Sequence, residues 1–116
     1  IIGLDLFVFG DADGSDHHVR LQHPTGITHY DGVLYITDTY NHKIKRVLPV
    51  TRSAFTVLGT ASAGHIDGPA LEAQFSEPSG ISLANGKMYI ADTNNHAIRV
   101  ADIESGEVTT LEIKGL

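Results

Sequence analysis

Apolar residues in this chain cluster in short segments of four to seven residues separated by turns rich in Gly, Pro, Asp and Asn, and not in the three-to-four spacing of an amphipathic helix. The pattern predicts strands over Gly26–His29, Val33–Thr37, Lys43–Leu48 and Ala54–Leu58. It predicts four more over Gly80–Leu83, Lys87–Ala91, Ala97–Ile103 and Glu107–Leu111. Between the first two strands of each set stand Asp31-Gly32 and Asn85-Gly86, dipeptides that tolerate the positive φ angles of a tight hairpin. Polar turns are expected at Asp38–Asn41, Asp92–Asn95 and Ser105-Gly106. A short helical turn is expected over Pro69–Phe75, where Ala70, Leu71, Ala73 and Gln74 favour helix.

The layout is written twice. Pro24 and Pro78, Asp38 and Asp92, and His42 and His96 are each 54 positions apart. A fixed period of this size marks a duplicated supersecondary unit that does not bury its apolar faces alone. Four short antiparallel strands joined by tight turns describe one blade of a β-propeller. The second strand of each copy, with Leu34, Tyr35 and Ile36 or Met88, Tyr89 and Ile90 in a row, suits a sheet covered on both faces. The expected organisation is therefore all-β. Residues 1–9 end a preceding blade and its connection, 10–63 form one four-stranded antiparallel blade, and 64–116 form a second. The expected core comprises Ile27, Leu34, Ile36, Ile44, Val47 and Leu58, then Ile81, Met88, Ile90, Ile98, Val100 and Leu111. Two blades alone leave large apolar flanks, and three copies of the chain would close a ring of six.

Composition narrows the function classes. The 116 residues contain 41% hydrophobic and 19% charged side chains, as in an ordinary folded chain. A formal charge of −6 argues against a nucleic-acid partner, which needs clustered Lys and Arg. The nearest basic cluster, Lys43, Lys45, Arg46 and Arg52, reads as a solvated strand face. With no cysteine, neither a disulfide nor thiol chemistry is available in these residues. No apolar run approaches the ~20 residues of a membrane helix, so no membrane partner is expected. The chain starts at Ile1, and its natural N-terminus is expected to lie upstream.

The string from Tyr89 through Ala91, Asp92, Thr93, Asn95 and His96 to Ile98 and Arg99 resembles the NHL repeat, and Tyr35 to Lys45 matches almost as well. A longer string, from Phe9, Gly10, Asp11, Asp13 and Gly14 through Leu21 to Pro24 and on to Lys45, is similar to the C-terminal propeller of thioredoxin-like NHL-repeat proteins. The resemblance implies a six-bladed propeller of which this chain supplies two blades. It also implies a thioredoxin-like domain elsewhere in the protein and favours a cytoplasmic location. NHL propellers mostly serve as platforms for protein partners; some bind RNA, and a distant relative is a metal-dependent lyase.

The most conspicuous polar constellation is Asp38, Asn41 and His42, with Asp92, Asn95 and His96. His and Asp are competent metal donors. A structural role is the preferred reading, because the set recurs in each copy whereas active sites are usually built once. Asp then accepts turn N–H groups, Asn takes the left-handed conformation, and His bridges strands or meets the neighbouring blade. Asp11, Asp13, Gly14 and Asp16 carry part of a calcium-loop pattern but lack its distal Glu, so a blade-connecting turn is preferred. His17, His18, His23 and His29 read as solvated loop histidines, since adjacent side chains in extended backbone point apart. No nucleophile elbow or phosphate loop is present. No catalytic, cofactor-binding or metal site is therefore assigned, and no cofactor is expected. The expectation is a non-enzymatic scaffold gripped by protein partners on one rim. The alternative is part of a metal-dependent propeller hydrolase or lyase with its site in the central channel.

Overall fold

The computed structural model describes residues 10–15 and 19–112. The connection expected over residues 1–9, together with Asp16, His17 and His18, lies outside the described residues. Among the described residues nine strands form two antiparallel sheets: β1 (Gly14–Ser15), β2 (Gly26–Tyr30), β3 (Val33–Asp38), β4 (Lys43–Leu48) and β5 (Ser53–Leu58) in order β1-β5-β4-β3-β2, then β6 (Pro78–Ala84), β7 (Lys87–Asp92), β8 (Ala97–Asp102) and β9 (Val108–Thr110) in sequential order. Each sheet is one blade. The first carries a fifth, two-residue strand that the sequence pattern does not predict, because Gly14 and Ser15 have no apolar signature and pair only with Ala54 and Ser53.

Turn chemistry sets the registers. Asp31 and Gly32 adopt φ 51° and 77°, and Asn85 and Gly86 adopt the same pair, giving two-residue turns whose twist matches the flanking strands. Tyr30 therefore faces Val33, and Ala84 faces Lys87. Pro69–Phe75 forms a single hydrogen-bonded turn and no helix. Glu72 and Ala73 both donate to the Pro69 carbonyl, and Gln74 then pairs with Ile66.

The two blades pack face to face. Tyr35, Ile44 and Leu58 of the first meet Phe75, Met88, Ile90 and Val108 of the second in a single apolar cluster. A second cluster, Val19, Ile36, Val47 and Ala54, lies on the opposite face of the first blade. Neighbouring residues of β3 thus feed opposite clusters, as the consecutive apolar run implies. The blades approach most closely along β2 and β6. There a Cβ on Gly26 would collide with the Ser79 carbonyl oxygen and the Thr37 hydroxyl, so no larger residue fits. Two expected core residues are instead exposed: Ile27 at 62% and Leu111 at 41%. Both stand on the outward flanks of the pair, where no second blade of this chain covers them. Four buried small or aromatic residues that the pattern passed over, Ala54, Ala73, Phe75 and Ala101, help fill the clusters.

Candidate functional site

In each blade the polar constellation sits where the second strand turns into the third. After Asp38, residues Thr39–Asn41 form one 3-10 turn, and His42 closes it in the left-handed conformation, its N–H bonded to the Thr39 carbonyl at 3.1 Å. Thr93–Asn95 and His96 repeat this geometry. The left-handed position expected of Asn belongs to His in both copies (φ 58° and 53°), because the tight turn uses Thr-to-Asn as its helical part.

Asp38 is fully buried. Its Oδ1 accepts the Gln22 N–H at 2.7 Å, and its Oδ2 accepts the Asn41 amide at 2.8 Å. Asn41 also donates to the Gly10 carbonyl, pinning the incoming connection. Asp92 does the same with the Ser76 N–H at 2.8 Å and the Asn95 amide at 2.7 Å, and Asn95 holds the Gly64 carbonyl at 2.7 Å. The constellation staples each blade's entry segment to its second hairpin.

The hub of each staple is a buried cation. The Lys45 ammonium, with no side-chain exposure, lies 3.2 Å from Asp38, 2.9 Å from Asp11 and 3.3 Å from Asp13, and donates to the Arg20 carbonyl. At the equivalent place Arg99, also wholly buried, donates to Asp92 at 2.7 Å, to Asp67 at 2.8 Å and to the carbonyls of Gln74 and Ile66. Its guanidinium lies 4.8 Å above the Phe75 ring, a cation–π contact. The expected solvated basic face is therefore corrected: of Lys43, Lys45, Arg46 and Arg52, Lys45 is buried and Lys43 is paired with Asp11 at 2.6 Å. A signal was available, since a basic residue stands seven positions after the Asp in both copies.

Burial opposes ionisation of Asp11, but the Lys43 and Lys45 ammoniums outweigh it and hold its carboxyl below the ordinary value. Burial likewise opposes charging of Lys45, and Asp11 and Asp38 overcome this, raising its pKa. Asp67 is lowered by Arg99 and by the Thr110 hydroxyl against a desolvation cost. Asp11 and Asp13, the half calcium pattern, thus face a cation supplied by the chain itself. Among the described residues no group of three His, Cys, Asp or Glu side chains has metal-binding geometry.

His42 works between blades. Its Nδ1 accepts the Glu77 N–H at 3.0 Å, Thr39 donates to the Pro78 carbonyl at 2.8 Å, and Thr37 donates to the Ser79 carbonyl at 3.0 Å. Three consecutive residues at the start of the second blade are thereby held by the first. The counterpart His96 is exposed. On the surface beside His42, Tyr40 is 48% exposed and stacks on His23 with ring centres 4.6 Å apart.

Duplicated four-stranded blades, each closed by a buried Asp–cation–Asn staple, define a repeat chain of the propeller class. The chain is an NHL-repeat chain: residues 75–101 match the NHL repeat. It is 49% identical to Protein SUPPRESSOR OF QUENCHING 1, chloroplastic, of Arabidopsis thaliana, over 97% of this chain and 11% of that protein. It is 43% identical to human NHL repeat-containing protein 2, over 95% of this chain and 16% of that protein. The chain thus spans a small part of the curated relatives it matches. Among solved structures, an auxiliary nutrient binding protein from Bacteroides ovatus superposes with a TM-score of 0.80 at 21% identity, over 97% of this chain and 28% of that one. That likeness concerns the fold.

Proposed function

We propose that these two blades are a non-enzymatic segment of a propeller that offers one rim to protein partners. On the same reading it sits in a longer chain that also carries a thioredoxin-like domain. The observation that supports it is the inward use of the polar constellation. Both oxygens of Asp38 and of Asp92 are engaged within the blade, and each adjoining cation is sealed from solvent. What the first blade leaves accessible at that end is a contact surface, the Tyr40–His23 stack beside Gln22 and Glu77. Exposed aromatic side chains with a polar handle are common anchors in protein interfaces.

The test is affinity capture from the native source with the full-length propeller, wild type against Tyr40→Ala and His23→Ala. Loss of specific captured proteins in the variants, with unchanged unfolding curves, supports the rim reading. Identical capture by all three forms counts against it. Metal analysis of the complete protein addresses the hydrolase or lyase alternative, because stoichiometric bound zinc or calcium would favour that class. The full open reading frame tests for the thioredoxin-like stretch.

A further inference from the structure

The repeat step keeps the geometry of one rim position and changes its chemistry. His23 and Tyr40 of blade 1 correspond to Glu77 and Asn94 of blade 2, each 54 positions on. In both blades the two side chains meet. The rings of His23 and Tyr40 stack with centres 4.6 Å apart, and Asn94 donates to Glu77 Oε2 at 2.7 Å. An aromatic pair and an acidic pair therefore flank the seam between the blades. A cleft of about 380 Å³ opens there, lined by Gln22, Tyr40, His42 and Glu77. Every lining residue belongs to this internal seam, so the cleft does not depend on what adjoins the two outer flanks.

Both walls are held in place before anything binds. The Tyr40 N–H is bonded to the Gln22 carbonyl at 3.1 Å, and His23 backs one face of the Tyr40 ring. Glu77 donates its N–H to His42 Nδ1 at 3.0 Å, and Asn94 occupies one of its carboxylate oxygens. The other oxygen has no hydrogen-bond partner among the described residues, and no Lys or Arg there pairs with Glu77. Asp11, Asp13, Asp38, Asp67 and Asp92, by contrast, each face a Lys or Arg of the chain itself. Glu77 is thus a carboxylate set in a preformed cleft without a counter-charge. Groups fixed in this way lose little freedom on binding.

We propose that this cleft receives an arginine side chain of the partner protein, its guanidinium lying on the open face of Tyr40 and donating to the Glu77 carboxylate and the Gln22 side-chain oxygen. The proposal rests on the rim reading above and adds the chemistry of the partner. An acidic side chain or a phosphate is repelled by Glu77, and an apolar one leaves the carboxylate oxygen desolvated without a partner. A lysine ammonium pairs with Glu77 but has no flat face to lay on the ring. The planar guanidinium fork does both, since it stacks on aromatic faces and donates to a carboxylate in one geometry.

The test probes the full-length protein on arrays of short peptides, random except for a central Arg, Lys, citrulline or Glu. Arginine-centred peptides should be retained about tenfold better than citrulline-centred ones, which keep the planar shape and lose the charge. That comparison uses the wild type and so does not depend on the folding of any variant. Equal retention of the two sets overturns the proposal, and so does lysine retained as well as arginine. Glu77→Gln, with an unchanged unfolding curve, should abolish the arginine preference; a preference that survives it places the arginine site elsewhere and overturns the proposal. Adding Glu77→Gln to the capture experiment separates this claim from the rim reading. Capture lost with Tyr40→Ala and His23→Ala but kept with Glu77→Gln overturns the arginine assignment alone, whereas capture unchanged in all three removes both.

Discussion

Blade 1 closes its polar staple with an ammonium, Lys45, and blade 2 closes the equivalent one with a guanidinium, Arg99. The surroundings differ to match. Lys45, a compact charge with three donors, has three carboxylates around it: Asp38, Asp11 and Asp13. Arg99, with five donors in a planar fork, makes do with Asp92 and Asp67 and spends its other donors on two carbonyls, while Phe75 replaces Leu21 under the flat face. The fold therefore requires a buried cation at this locus, and the neighbours are fitted to whichever cation is present.

The sharpest way to break the comparison is to remove the cation. Arg99→Ala or Lys45→Ala leaves Asp92 or Asp38 buried without a counter-charge, and each should cost about 3–5 kcal/mol in urea unfolding. Losses below about 1 kcal/mol would show that the staple is dispensable. Gly26→Ala pushes a Cβ into the Ser79 carbonyl between the blades and should cost about 1–3 kcal/mol by overpacking. Gly80→Ala, at the equivalent place on the second blade, meets only the Ala91 methyl at ordinary contact distance and should cost less.

Histidine separates the blades next. His42→Ala removes the acceptor of the Glu77 N–H and should destabilise by about 1 kcal/mol, whereas His96→Ala, whose side chain is exposed, should be close to neutral. Equal losses would deny His42 its inter-blade role.

The smallest effects are those of pH. Asp11 and Asp67 have folded-state pKa values below the ordinary 3.8, so the stability they contribute is present above that pH and is lost as pH falls through their folded values. Lys45 is raised above 10.5, so its contribution is complete below that pH and is lost as pH rises through the folded value. Alkaline unfolding should therefore begin in blade 1, as seen by faster amide exchange at Ile44 than at Ile98 relative to their rates at pH 8. Simultaneous loss in both blades would contradict the assignment.

Eight strands and both hairpin turns were legible because Asp31-Gly32 and Asn85-Gly86 fix the registers and the 54-residue step confirms each run against its copy. The constellation from Asp38 to His42 was legible as turn chemistry. Its hub was not, because Lys43 to Arg46 looks like a charged strand, and alternation places Lys45 with solvent-facing neighbours. In a blade covered on both faces that rule fails: Ile44 and Lys45 are adjacent and both buried. Ile27 and Leu111 failed for the opposite reason. Their counterparts Ile81 and Val57 are half-buried against the adjoining blade, and a position's burial here depends on which side of the pair it occupies.

That each blade balances its own interior charge has a consequence for how such chains lengthen. A cassette whose one fully buried carboxylate is matched by its one buried cation makes no ionic demand on the interior of whatever precedes or follows it, asking only for a threonine, a histidine and an oily surface at the seam. Duplicating, deleting or exchanging whole cassettes then disturbs no electrostatic match elsewhere. Lysine can drift to arginine in one cassette, as it differs between these two, without the others having to follow.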